Sequence, residues 1–72
     1  MRTIPKSLIN SMREVYKVGA RVVLIQMDDP QAPPVGTEGT VLFVDDIGTI
    51  HIAWDNGSSL GAVFGEDVIS LL

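Results

Sequence analysis

Acidic residues recur in pairs along this chain, and they are the first residues whose types and spacing could do chemistry: Asp28-Asp29, Asp45-Asp46, Asp55 beside Asn56, and Glu66-Asp67. Carboxylates drawn from several loops to one rim suit a hard cation, which takes about six to eight oxygens. No linear D-x-D-x-D-G loop is present, however, and acids beside turns commonly accept hydrogen bonds from their own backbone N–H groups. No metal and no cofactor is therefore expected. The same rim placed beside an aromatic ring would suit a protein partner, above all a basic peptide. Trp54, next to Asp55, is the ring in position to do this. Asp28, Asp29, Asp45, Asp46, Trp54, Asp55, Glu66 and Asp67 form the candidate binding set.

His51, Ser58 and Ser59 nominally supply the types for nucleophilic catalysis. A triad also needs a nucleophile and base in contact, an oxyanion hole and a cleft. A domain this small rarely offers the cleft, and no glycine-rich phosphate loop opens a helix, because "VGTEGTV" leads into a strand. The expectation is a non-enzymatic binding or adaptor module, with His51 as an exposed cross-strand residue.

The elements that must position these residues follow from the hydrophobic pattern. Ile4, Leu8, Ile9, Met12, Val15 and Tyr16 recur at three and four, the stripe of an amphipathic helix, with Lys6, Asn10, Arg13, Glu14 and Lys17 on its other side. Thr3 is a suitable N-cap and Pro5 suits a first turn, so the helix is expected from Pro5 or Lys6 to about Tyr16. "ARVVLIQM" is a strand apolar on both faces, and its Val23 and Ile25 face is the expected dock for the helix, within one chain or by exchange between two. "DDPQAPPVGTEG" is a stiff loop. "TVLFV" and "TIHIAW" are the next strands, the latter with Ile50, Ile52 and Trp54 inward. Asn56-Gly57 then reads as a type I′ hairpin turn, "SLGAVF" as the returning strand, "GED" as a tight turn and "VISLL" as the closing strand.

Together these elements predict a mainly β fold: a small five-stranded SH3-like barrel over residues 18–72, preceded by an N-terminal amphipathic α-helix over residues 1–17. An OB-fold fits less well, since it needs longer strands and usually a helix between the third and fourth.

Composition bounds the function further. The chain has 72 residues, 46% of them hydrophobic and 19% charged, so it should fold as one domain with a small core. With no cysteine, packing must carry the fold without disulfides or thiolate zinc. A cytoplasmic setting is expected, with no membrane span and no signal peptide. The net charge is −4, and no Lys or Arg follows Arg21. Since nucleic-acid affinity comes largely from cations against phosphates, the barrel is a poor nucleic-acid binder. Only Arg2, Lys6, Arg13 and Lys17 could make the N-terminal helix a nucleic-acid-associated accessory element, as in a mobile element. The expected state is a monomer or a helix-mediated homodimer.

The segments "VGARVVLIQMDDP", "PVGTEGTVLFVDDIGTIHIAWDNGSSLG" and "GED" resemble the DUF4314 family of bacterial and phage-associated domains, from Val18 to about Asp67, with the helix outside the resemblance. Phe64 stands before "GED" where the resemblance leads one to expect Pro. The likeness implies an SH3-like fold and a genome neighbourhood, and no activity. A looser likeness links the "WDNG" region to other SH3-like modules that bind peptides.

Overall fold

The stripe at the N-terminus does form a helix. In the computed structural model, which describes residues 4–72, α1 covers Lys6–Val15. Thr3 and Arg2 lie outside the described residues. Pro5 takes the cap position without a side-chain hydrogen bond, and its carbonyl accepts the N–H groups of Leu8 and Ile9 at 3.0 and 3.1 Å. At the other end the Tyr16 N–H donates to the Met12 carbonyl at 2.7 Å, and Gly19, at φ 88°, turns the chain into the sheet.

Five strands follow: β1 at Arg21–Gln26, β2 at Glu38–Val44, β3 at Thr49–Trp54, β4 at Ala62–Val63 and β5 at Val68–Leu71. They form one antiparallel sheet in the order β4-β3-β2-β1-β5. Val22, Leu24, Val41, Val44, Ile50, Ile52, Trp54 and Ala62 are buried on its inner face, as the alternation of β3 requires. Ile9 and Met12 of α1 are buried in the same cluster. This corrects the expected dock. The helix covers the Val22 and Leu24 side, while Val23 is only half-buried and Ile25 is 47% exposed. Alternation along β1 turns Val23 and Ile25 to the outer face, and the register shift between Leu24 and Gln26 leaves Gln26 exposed as well.

The expected closed SH3-like barrel is also corrected: the sheet stays open, and its edge strands β4 and β5 do not pair. The reason lies in the backbone groups of β4. The Val63 N–H donates to Asp67 Oδ2 at 2.8 Å, and the Val63 carbonyl accepts the N–H groups of Glu66 and Asp67 at 3.1 and 2.9 Å. The turn over residues 64–67 thereby takes the groups that a closing strand would need. β4 is short because residues 58–61 are held by local bonds instead of a ladder: the Leu60 N–H donates to Ser58 Oγ at 3.2 Å, and the Leu60 carbonyl accepts the Trp54 indole N–H at 2.7 Å.

The turn at Asn56-Gly57 differs from type I′ as well. Gly57 has φ 92°, but no non-glycine residue among those described has positive φ. The Gly57 N–H donates to the Trp54 carbonyl at 3.0 Å and the Trp54 N–H to the Ser58 carbonyl at 2.9 Å, a three-residue loop closed by a left-handed glycine. Asp45 to Thr49 repeats the design, with Gly48 at φ 84° in the equivalent place.

Candidate functional site

Because these two turns lie at opposite ends of the six-residue β3, their acids are separated by roughly 17 Å, at about 3.3 Å per residue. The acidic pairs do not meet at one rim. Each is instead used close to home. Asp29 Oδ1 accepts the Gln31 N–H at 2.8 Å inside the β1–β2 loop, and Asp46 accepts Arg13 at 2.9 Å. Asp67 holds the β4 edge. Asp28 and Glu66 are exposed. Among the described residues no group of three or more His, Asp or Glu is placed to hold a metal ion.

Asp55 forms a bidentate pair with Arg21, at 2.9 Å to Nη1 and 2.5 Å to Nη2, and Arg21 also donates to Thr40 Oγ1 at 2.9 Å and Glu38 at 3.4 Å. The hydrogen bond from Arg21 lowers the Asp55 pKa against a smaller desolvation effect, and the same bond raises that of Arg21. This cluster ties the start of β1 to the end of β3 on the outer surface.

Asp45 is the most engaged carboxylate. Its Oδ1 accepts the N–H groups of Ile47 and Thr49 at 3.0 and 2.9 Å, and its Oδ2 meets His51 Nε2 at 2.8 Å. Desolvation pushes its pKa up, but the bonds from His51, Thr49 and Ile47 outweigh this and hold it below the ordinary 3.8. The His51 ring stacks on Phe43, with centroids 4.3 Å apart and planes 13° from parallel. His51 is thus half-buried and partnered, contrary to the exposed cross-strand residue expected. The β2–β3 register sets the contact. It pairs Phe43 with His51 and shifts between Val41 and Phe43, so Leu42 and Phe43 both face outward. His51 also lines a cleft of mixed polarity of about 310 Å³ with Gln31, Thr49, Ser58, Ser59, Leu60 and Gly61, where Ser58 Oγ already accepts the Leu60 N–H.

Trp54 is 3% exposed, with its indole N–H bonded inside the fold, so its ring presents no surface to a partner. Of the cations on the helix, Arg13 is engaged by the fold: Nε donates to the Val44 carbonyl at 3.1 Å and Nη2 to Asp46.

The feature that residue types did not reveal is an apolar cleft of about 320 Å³ at the opening of the sheet. Ala62 and Val63 of β4 form one wall and Val68 and Ile69 of β5 the other, with Tyr16 and Ile50 also lining it. Among the described residues Asp67 is the one charged residue in the lining. Phe64, in the turn that joins the two edges, completes it and is 39% exposed.

The family model of a domain of unknown function, DUF4314, matches residues 5–72. The chain belongs to the DUF4314 family. The match runs through α1, so the helix is part of the DUF4314 unit, beyond the Val18 to Asp67 span that the motifs had indicated. No curated protein matches the chain. Among the described residues of this DUF4314 chain no helix is long and apolar enough to cross a membrane.

Proposed function

We propose that this domain is a non-catalytic module that binds a protein partner in the apolar cleft between β4 and β5. The observation that carries this reading is the cleft itself: an apolar recess beside two sheet edges, in a domain whose Asp29, Asp45 and Asp67 are engaged in its own turns. Recesses of this kind accept one or two apolar side chains of an extended segment, while backbone groups at a strand edge supply orientation. The partner belongs to the class of extended, apolar-anchored peptide segments, with basic residues favoured by the chain's net charge of −4.

Selection from a random peptide display library on the purified domain tests this. Enriched peptides should shift backbone amide resonances at residues 62–69. Val68→Asp should abolish binding without lowering Tm by more than a few degrees, because Val68 is 46% exposed. An absence of enriched peptides, or shifts confined to other surfaces, would overturn the reading.

A further inference from the structure

The two edges that flank the cleft are not equivalent. On β4, the backbone groups of Val63 that point away from the sheet are already bonded to Asp67 and the turn over residues 64–67. On β5 the corresponding groups have no backbone partner among the described residues. The Leu24 N–H and carbonyl bond to Thr37 and Gly36, on the β2 side of β1, so Leu24 and its cross-strand partner Ile69 form a pair without mutual backbone bonds. Groups of such a residue on an edge strand point outward. Arg21 and Leu72 show the opposite phase, since the Leu72 N–H donates to the Arg21 carbonyl at 3.0 Å. By the same alternation Leu71, opposite Val22, also directs its N–H and carbonyl away from β1. Neither Ile69 nor Leu71 has a backbone partner on that side among the described residues; only Ser70 Oγ approaches the Leu71 carbonyl, at 3.4 Å.

Resting on the cleft reading above, we infer that the occupant is a cationic, extended peptide segment that adds as a sixth strand to the free edge of β5. Addition to β4 is blocked by the turn, so one peptide binds per domain. Alternate residues of the peptide would bond to Ile69 and Leu71, and apolar side chains on its inner face would enter the recess beside Ile50 and Ala62. Charge selects the partner. Among the described residues Asp67 is the one charged residue lining the recess and only its Oδ2 is engaged, and no Lys or Arg follows Arg21 in the chain. A second copy of this chain would bring another −4 and the same acidic turn to the edge, so a basic segment is the complementary occupant.

The tightest peptide from the display selection serves as the probe, resynthesised with one backbone N-methyl group at each position in turn. Strand addition predicts a period of two: alternate N-methyl peptides lose at least ten-fold in affinity, and the intervening ones bind nearly unchanged. Leu71→Pro, which removes an outward N–H at an edge, should weaken the parent peptide at least ten-fold while Tm holds. Replacing the peptide's Lys or Arg by Glu should weaken binding, and added salt should do the same to the parent. A peptide that shifts residues 62–69 but shows a uniform or absent N-methyl pattern would overturn strand addition and leave the cleft reading standing. Enrichment of acidic peptides would overturn the charge assignment. The N-methyl series decides the matter even if Leu71→Pro does not fold.

Discussion

Gly39 lies on the inner face of β2, opposite Trp54 in the β2–β3 register, and its lack of a side chain is a matter of space. A Cβ there would stand 2.6 Å from Ile52 Cγ2, 2.9 Å from Trp54 Cε3 and 3.1 Å from the Ala53 carbonyl oxygen. None of these neighbours can yield easily. Ile52 is fully buried, the Trp54 ring is held by its bond to the Leu60 carbonyl, and the third is backbone. Overpacking of this kind typically costs about 1–3 kcal/mol, against a total stability of roughly 3–5 kcal/mol for a domain of this size. Gly39→Ala should therefore cost about 2–3 kcal/mol and, at roughly 4–8 °C per kcal/mol, lower Tm by about 10 °C or more. Calorimetry together with Trp54 fluorescence measures both. Trp54→Phe removes ring atoms from the clash and should be less damaging in the Gly39→Ala background than in the wild type, a coupling on the order of 1 kcal/mol in a double-mutant cycle. A Gly39→Ala protein melting within two or three degrees of wild type would show that the indole does not lie against Gly39, and would refute the packing described.

Gly57 poses the opposite requirement, since nothing lies within 4 Å of its notional Cβ but its φ is 92°. Gly57→Val should lower stability by about 1–2 kcal/mol while Gly57→Asn costs clearly less, as chemical denaturation will show. Ile9 and Met12 are each 4% exposed, and burying such side chains contributes about 1.5–3 kcal/mol apiece, so Ile9→Asp with Met12→Asp should unfold the domain by circular dichroism, whereas Asn10→Asp on the exposed side should not. Asp45 has its folded pKa below the ordinary 3.8, so its contribution to stability is present above about pH 3.8 and is lost as pH falls through the folded value. His51→Phe keeps a ring for Phe43 but removes the bond to Asp45, and in an acid titration its unfolding midpoint should move to higher pH.

Where local chemistry decides structure, this fold is legible in its residues. "TIHIAW" becomes β3 with Ile50, Ile52 and Trp54 inward, because period-two alternation between two turns leaves one register that buries all three. The stripe of α1 is legible for the same reason at period three to four. Illegible are features that depend on which of two compatible uses a residue serves. Asn-Gly suits both a type I′ turn and a three-residue loop with a left-handed glycine; Asp45 to Thr49 reaches the latter with Ile47-Gly48, and the parallel hints that the left-handed glycine, more than the asparagine, is the shared requirement. The bulges at Leu42 and Ile25 carry no glycine or proline to mark them.

Openness of the sheet has the same origin, and it leaves an edge and a recess that a closed barrel would lack. Asp67 is an acid beside a turn, equally suited to a surface rim or to a backbone N–H. In this fold it reaches back four residues to Val63, and that one bond helps remove β4 as a pairing edge. The consequences run outward from it. Among the described residues the outward N–H groups of Ile69 and Leu71 on β5 have no backbone partner, the walls of β4 and β5 stand apart over Ile50, and the recess between them is lined by side chains that would sit in the core of a closed barrel. Asp29, Asp45 and Asp67, expected as surface ligands, thus shape their own turns, and Ile50, expected in the core, lies at the floor of the recess. A recess made by incomplete closure is written in backbone hydrogen bonds, and residue types alone do not reveal it.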